Sequence, residues 1–155
     1  MVHRADLFRL LAASSGDPLL RIEGAVRFIS IRTFHPEQFA VPSAEELLSV
    51  HRARTGAFPS TGDFLFHSLL ATLEIPTREQ MAALLGELSL EPLSLEEWWA
   101  FADEHCSGLR VPVPEIREVL GGFIAAFQLT HEWNDRSAFL VTTEEMKAVY
   151  WSTTA

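Results

Sequence analysis

Apolar residues recur at helical spacing in six stretches of the chain: 3–14, 43–54, 61–74, 77–88, 94–106 and 114–129. Three of these begin with a hydroxyl residue followed three positions later by an acid or amide. They are Ser43-Ala44-Glu45-Glu46, Thr77-Arg78-Glu79-Gln80 and Ser94-Leu95-Glu96-Glu97. Each reads as a capping box, in which the hydroxyl caps the first turn and the longer side chain reaches back. Pro76, Pro92, Pro112 and Pro114 fall between or at the start of these stretches, where a missing N–H does least harm. Gly56, Gly62 and Gly108 mark further breaks.

Two regions read differently. "LLRIEGAVRFISIRTF" is rich in β-branched and aromatic residues, but its alternation leaves no clean polar face. Val26, Ile29, Phe34 and the Arg27/Ile31 pair suit helical neighbours, so the reading leans to helix over 24–34, with strand as the alternative. "SAFLVTTEEMKAVYWSTT" contains two β-rich runs, 138–142 and 146–153, separated by Thr143-Glu144-Glu145, which predicts a hairpin. Val149 and Trp151 share one face of its second strand, and Ala148 and Tyr150 the other. A hairpin alone is marginal in water, so this one must pack on the rest of the fold. The expectation is an α+β protein that is mainly helical: a single domain over 1–155, with five to six helices and a C-terminal β-hairpin.

Composition supports a packed core, with 48% hydrophobic and 21% charged residues in 155. No apolar run reaches the ~18 residues of a membrane span. Arg4, Asp6 and Arg9 interrupt the apolar pattern at the N-terminus, which argues for an amphipathic helix rather than a signal peptide. Cys106 is the only cysteine, which fits a reducing, cytoplasmic setting. Net charge is −9, and its distribution is uneven. Residues 1–54 carry seven arginines and six acids, whereas residues 55–155 carry five cations and fifteen acids, a net of −10. Such a field repels nucleic acid and anionic lipid and attracts a basic protein partner; its plainer role is solubility.

The stretch 94–106 separates its residues most sharply. Leu95, Trp98, Trp99, Ala102 and Cys106 form an apolar stripe, with Glu96, Glu97, Asp103 and Glu104 opposite. A core helix with a solvated acidic face explains this. The functional alternative is a docking surface in which the four acids surround an exposed Phe101. Glu115 and Glu118 extend that surface from the 114–129 helix. Gly121-Gly122 is unusual inside a helix and points to the close approach of another helix. Cys106, on the apolar stripe, reads as an inert buried thiol.

Spacing motivates none of the remaining chemistry, although composition leaves a Ser/His/acid triad open, and a hydrolase or small-ligand protein that uses its histidines is a third reading. Six histidines (His3, His35, His51, His67, His105 and His131) include no metal-binding pair, and His35-Pro36-Glu37 lacks the cysteine pair of a zinc deaminase. Lys147 is the only lysine and lies in the predicted hairpin, so there is no P-loop. No Gly-x-Ser-x-Gly elbow is present. The reading therefore assigns no catalytic residue, metal or cofactor.

In its length, acidic C-terminal two-thirds and closing segment "AFLVTTEEMKAVYWSTTA", the chain resembles the small cytoplasmic immunity proteins of bacterial polymorphic and contact-dependent toxin systems. The resemblance implies a non-enzymatic protein that binds one cognate toxin domain and blocks its active site. On that view the partner-binding residues are Glu96, Glu97, Phe101, Asp103, Glu104, Glu115 and Glu118. The alternative is a small regulatory or adaptor domain that binds an endogenous partner or oligomerises through its C-terminal strand.

Overall fold

The computed structural model describes residues 2–22 and 24–154. Met1, Glu23 and Ala155, which the single-domain and 24–34 readings included or adjoined, lie outside the described residues. The centre of the fold is a six-stranded, wholly antiparallel sheet in the order β1-β2-β6-β5-β4-β3. Its strands are β1 (Ser30–Phe34), β2 (Glu46–Arg54), β3 (Glu91–Leu93), β4 (Phe123–Glu132), β5 (Asp135–Thr142) and β6 (Glu145–Thr153). Helices cover both faces. α1 (Arg4–Ala13), α3 (Thr61–Thr72) and α4 (Arg78–Glu87) pack on one side, and α5 (Leu95–Cys106) and α6 (Pro114–Arg117) on the other. The single turn α2 (Gly24–Arg27) precedes β1.

Two apolar cores follow from this layering. Phe64, Leu65, Leu69, Met81 and Leu85 of α3 and α4 meet Phe127, Phe139, Met146 and Ala148 of the sheet. On the opposite face Trp98 and Ile116 meet Leu48, Val50, Ala138, Leu140 and Val149. Alternate residues of β6 serve the two cores in turn, as period-2 geometry requires. Val149 and Trp151 do share a face, with Ala148 and Tyr150 on the other.

The mainly helical expectation is overturned. Residues 43–54 are not a helix: Pro42–Ala44 form a 3₁₀ turn, Glu45 takes a left-handed φ of 53°, and β2 begins at Glu46. The Ser43 capping box therefore does not form. Residues 114–129 are helical only over Pro114–Arg117; Gly121 has φ 81° and the chain continues as β4. The Gly121-Gly122 pair does mark a close approach, but of the β5–β6 turn rather than a helix. Gly122 N donates to Thr143 Oγ1 at 2.9 Å, and Thr143 N donates to Gly122 O at 2.9 Å. Of the 24–34 segment only the four residues of α2 are helical, and 30–34 is the edge strand β1.

The hairpin exists as β5 and β6, but it is no appendage. β6 pairs with β2 from Glu46↔Thr153 to Arg54↔Glu145, and with β5 on its other side. Neither strand is an edge, so oligomerisation through the C-terminal strand has no free ladder to use. Four helices agree with their expected positions: α1, α3, α4 and α5. At α5 the capping box is complete, with Ser94 Oγ accepting from Glu97 N at 3.1 Å and Glu97 Oε1 accepting from Ser94 N at 3.0 Å.

Candidate functional site

The box fixes the start of α5 and hence the rotation at which its side chains emerge. Trp98, Ala102 and His105 point into the core, while Glu96, Glu97, Asp103 and Glu104 are exposed. Two of these acids are held by cations from elsewhere in the chain. Asp103 Oδ1 accepts from Arg117 Nε at 2.6 Å, and Glu104 Oε1 from Arg136 Nη1 at 2.9 Å. Glu115 of α6 pairs with Arg32 of β1 at 2.5 Å. Arg117 also lies over the Trp99 ring, 5.5 Å from its centroid. Pairs this exposed contribute roughly 0–1 kcal/mol each to stability, and they can be exchanged for a partner's charges. Glu118 is exposed, and its backbone carbonyl accepts from Lys147 Nζ at 2.5 Å. Glu96 makes no ion pair among the described residues.

Phe101 does not stand out as a knob. It is half-buried, with its ring 5.9 Å from Trp98 and 4.8 Å from His105. His105 in turn lies 4.7 Å from the Trp151 ring of β6. Phe101 and His105 line a cleft of about 250 Å³ between α5 and strands β4 and β5, together with Glu97, Glu104, Gln128 and Arg136. His105 is 4% exposed, and among the described residues its Nε2 has no hydrogen-bond partner, with Glu104 Oε2 3.9 Å away. Burial lowers its pKa against the opposing pull of Glu104, so the ring is neutral near pH 7.

Across the sheet lies a second polar arrangement. His51 Nδ1 is 2.7 Å from Ser68 Oγ, which is 2.8 Å from Tyr150 OH. Burial pushes His51 down to about 4 and raises the Tyr150 phenol, so both are neutral across the physiological range. His51 and Tyr150 border a groove of about 480 Å³ between the sheet and the ends of α3 and α4. A serine beside an imidazole has the outline of a nucleophile and its base. Ser68, however, is fully buried and shares its hydroxyl with Tyr150. Among the described residues no carboxylate is hydrogen-bonded to His51, so the chain's evident role is to satisfy three polar groups inside the core.

The α5 face of the sheet also buries charge. Lys147 is 1% exposed, 3.9 Å from Glu145 Oε1, and Glu145 accepts from Arg52 Nε at 2.6 Å. Burial lowers the Lys147 pKa to about 8 against the opposing charge of Glu145, and burial, reinforced by Asp103, raises that of Cys106 to about 12. An undissociated thiol is the inert cysteine the sequence suggested.

Of the seven predicted partner-binding residues, Glu97, Phe101 and Glu104 share the cleft. Asp103 faces Arg117, Glu115 faces Arg32, and Glu96 and Glu118 stand apart from these pairs. The sequence reading missed His105 and Arg136. His105 lies four residues after Phe101, a helical neighbour spacing that could have found it; Arg136 comes from a strand no local pattern links to α5. Among the described residues no group of three or more His, Cys, Asp and Glu could hold a metal ion, and no helix is long and apolar enough to cross a membrane. No protein-family model matches the chain, and neither the curated proteins nor the solved structures give a match.

Proposed function

We propose that this chain is a binding protein of the immunity type, which docks a basic protein domain on the α5–α6 surface and covers that domain's cationic site. The observation that carries the reading is the charge of this surface. Residues 91–118 hold seven acids (Glu91, Glu96, Glu97, Asp103, Glu104, Glu115 and Glu118) against Arg110 and Arg117, and Arg32 and Arg136 reach Glu115 and Glu104 from the sheet, which leaves a net of −3. Glu96, Glu97, Asp103 and Glu104 project from one helix seated on a six-stranded sheet. A rigid acidic face of this kind speeds association with a basic partner and excludes acidic ones. The likeness to toxin immunity proteins supports the same reading.

The test is binding to a basic domain encoded beside this gene, measured by interferometry. Glu96→Lys is the variant of choice, because Glu96 holds neither the capping box nor an ion pair among the described residues. Association should slow several-fold between about 50 and 300 mM salt and in the variant. A complex whose association ignores both would refute docking through this face.

A further inference from the structure

The acids of the α5 surface would supply a general attraction, whereas a tight complex needs a central anchor seated in a recess. The cleft beside α5 has the right dimensions and chemistry for one. Resting on the docking role just proposed, we infer that this cleft receives a single cationic side chain, an arginine or a lysine, inserted by the partner.

Three observations lead there. Glu97, Phe101 and Glu104 are spaced i, i+4 and i+7, so two carboxylates bracket one aromatic ring along about 10 Å of helix. A long cationic side chain laid along that stripe meets a carboxylate at each end and a π face between them. The capping box engages only Oε1 of Glu97, and Arg136 engages only Oε1 of Glu104. Oε2 of Glu97 therefore remains for an incoming donor, as does Oε2 of Glu104, which lies 3.9 Å from His105 Nε2 and beyond hydrogen-bond distance of it.

The second observation is His105. Its ring is held between Phe101 and Trp151 and borders the cleft; it is almost fully buried, and among the described residues Nε2 makes no hydrogen bond, with Glu104 Oε2 3.9 Å away. A buried polar nitrogen left without a partner is costly, and a guanidinium or ammonium N–H entering the cleft would satisfy it. Burial keeps this ring neutral, which leaves a lone pair available in one tautomer.

Third, Arg136 already shows what the cleft accepts. Its Nη1 donates to Glu104 at 2.9 Å and its Nε to the Glu132 carbonyl at 3.3 Å. With one arginine against two glutamates, the cleft has a formal charge of −1, so a single added cation balances it. An incoming carboxylate would instead meet Glu97 and a glutamate already bound to Arg136. The volume of about 250 Å³ suits one long side chain and is too small for a helix or strand.

The experiment uses the intact chain and N-acetyl-arginine-amide as probe, with N-acetyl-lysine-amide and N-acetyl-glutamate-amide beside it. Imidazole resonances of His105 report occupancy by NMR. The cationic probes should give saturable His105 shifts with a dissociation constant of order millimolar, and the glutamate probe none. Glu104→Gln, which keeps the shape, should weaken arginine-probe binding about fivefold or more, and Glu97→Gln, which keeps the capping geometry, should do likewise. Glu87→Gln, exposed on α4 across the sheet from the cleft, should leave probe affinity unchanged. Binding of the glutamate probe instead overturns the inference, as does the absence of saturation or a loss of affinity in Glu87→Gln equal to that in Glu97→Gln and Glu104→Gln. These readouts need no partner. Salt-dependent partner binding without probe binding would sink the anchor and leave the docking surface standing; probe binding with no basic partner would do the reverse.

Discussion

Acidification should destabilise this protein through His51 before most other groups respond. Its pKa falls from an ordinary 6.5 to about 4, chiefly by burial, with hydrogen bonding to Ser68 partly offsetting it. Above pH 6.5 the ring is neutral in folded and unfolded chains alike, and its contribution to stability is fully present. Below that, the unfolded chain takes up the proton and the folded one does not, so stability falls until the folded ring also protonates near pH 4. At about 1.4 kcal/mol per pH unit the interval is worth roughly 3 kcal/mol, a sizeable share of the ~5–15 kcal/mol of a whole domain. The measurement is the urea midpoint, followed by tryptophan fluorescence, from pH 7 to pH 4. The comparison is His51→Asn, whose amide can meet Ser68 but does not titrate in this range. Every other histidine and carboxylate is common to both proteins, so the difference between the two curves isolates His51. The wild type should lose about 3 kcal/mol more than the variant across that interval. Parallel curves would mean that the folded ring charges freely, through water entering the groove beside it, and the burial argument would be wrong.

Two further outcomes follow from the sheet and its turns. Deleting 147–155 removes most of β6, with Val149 and Ala148 fully buried in opposite cores, and breaks the ladders to both β2 and β5. The product should show no cooperative melt by circular dichroism, and a transition near the wild-type temperature would contradict the topology. Gly121→Ala should cost about 1–3 kcal/mol, since φ is 81° and a new Cβ would sit 2.6 Å from Thr143 Oγ1. Gly86→Ala, in α4 with open space around it, should instead raise stability by about 0.5 kcal/mol; equal melting shifts in the two variants would refute this contrast.

Of the helices that the sequence revealed, α1, α4 and α5 have one solvated face. α5 combines a complete capping box with a buried stripe at Trp98, Ala102 and His105, so periodicity and end signals agree. β2 and β4 escaped because both of their faces are covered and helix-start signals precede them, Ser43-Ala44-Glu45-Glu46 at β2 and Pro114 ahead of β4. β5 and β6, covered as fully, were given away by the turn residues Thr143-Glu144-Glu145 between them. Leu48 and Val50 enter one core while His51 and Ala53 enter the other, and Ala126 and Phe127 are likewise buried back to back. A strand buried on both sides loses the alternation that identifies it, and "SAEELLSV" then imitates a capped helix. The site was legible to the same local extent. Glu97, Phe101 and Glu104 follow from helical spacing, whereas Arg136 is 32 residues from Glu104, and Tyr150 is 82 from Ser68. Pairings of that span are decided by sheet order, which no local pattern encodes.

The position of β6 also bears on how the molecule comes into being. A ribosome releases strands in chain order, yet β2, complete at Arg54, must wait for Glu145 before it gains its inner neighbour. Until then β1–β2 and β3–β4–β5 are two separate ribbons, each presenting an open inner edge to solvent or to other nascent chains. Closure is a late, long-range event, the kind that folds slowly and is exposed to aggregation beforehand. Chaperone dependence during synthesis should therefore end abruptly once the final strand emerges, even though the helices that cover both faces were translated before it.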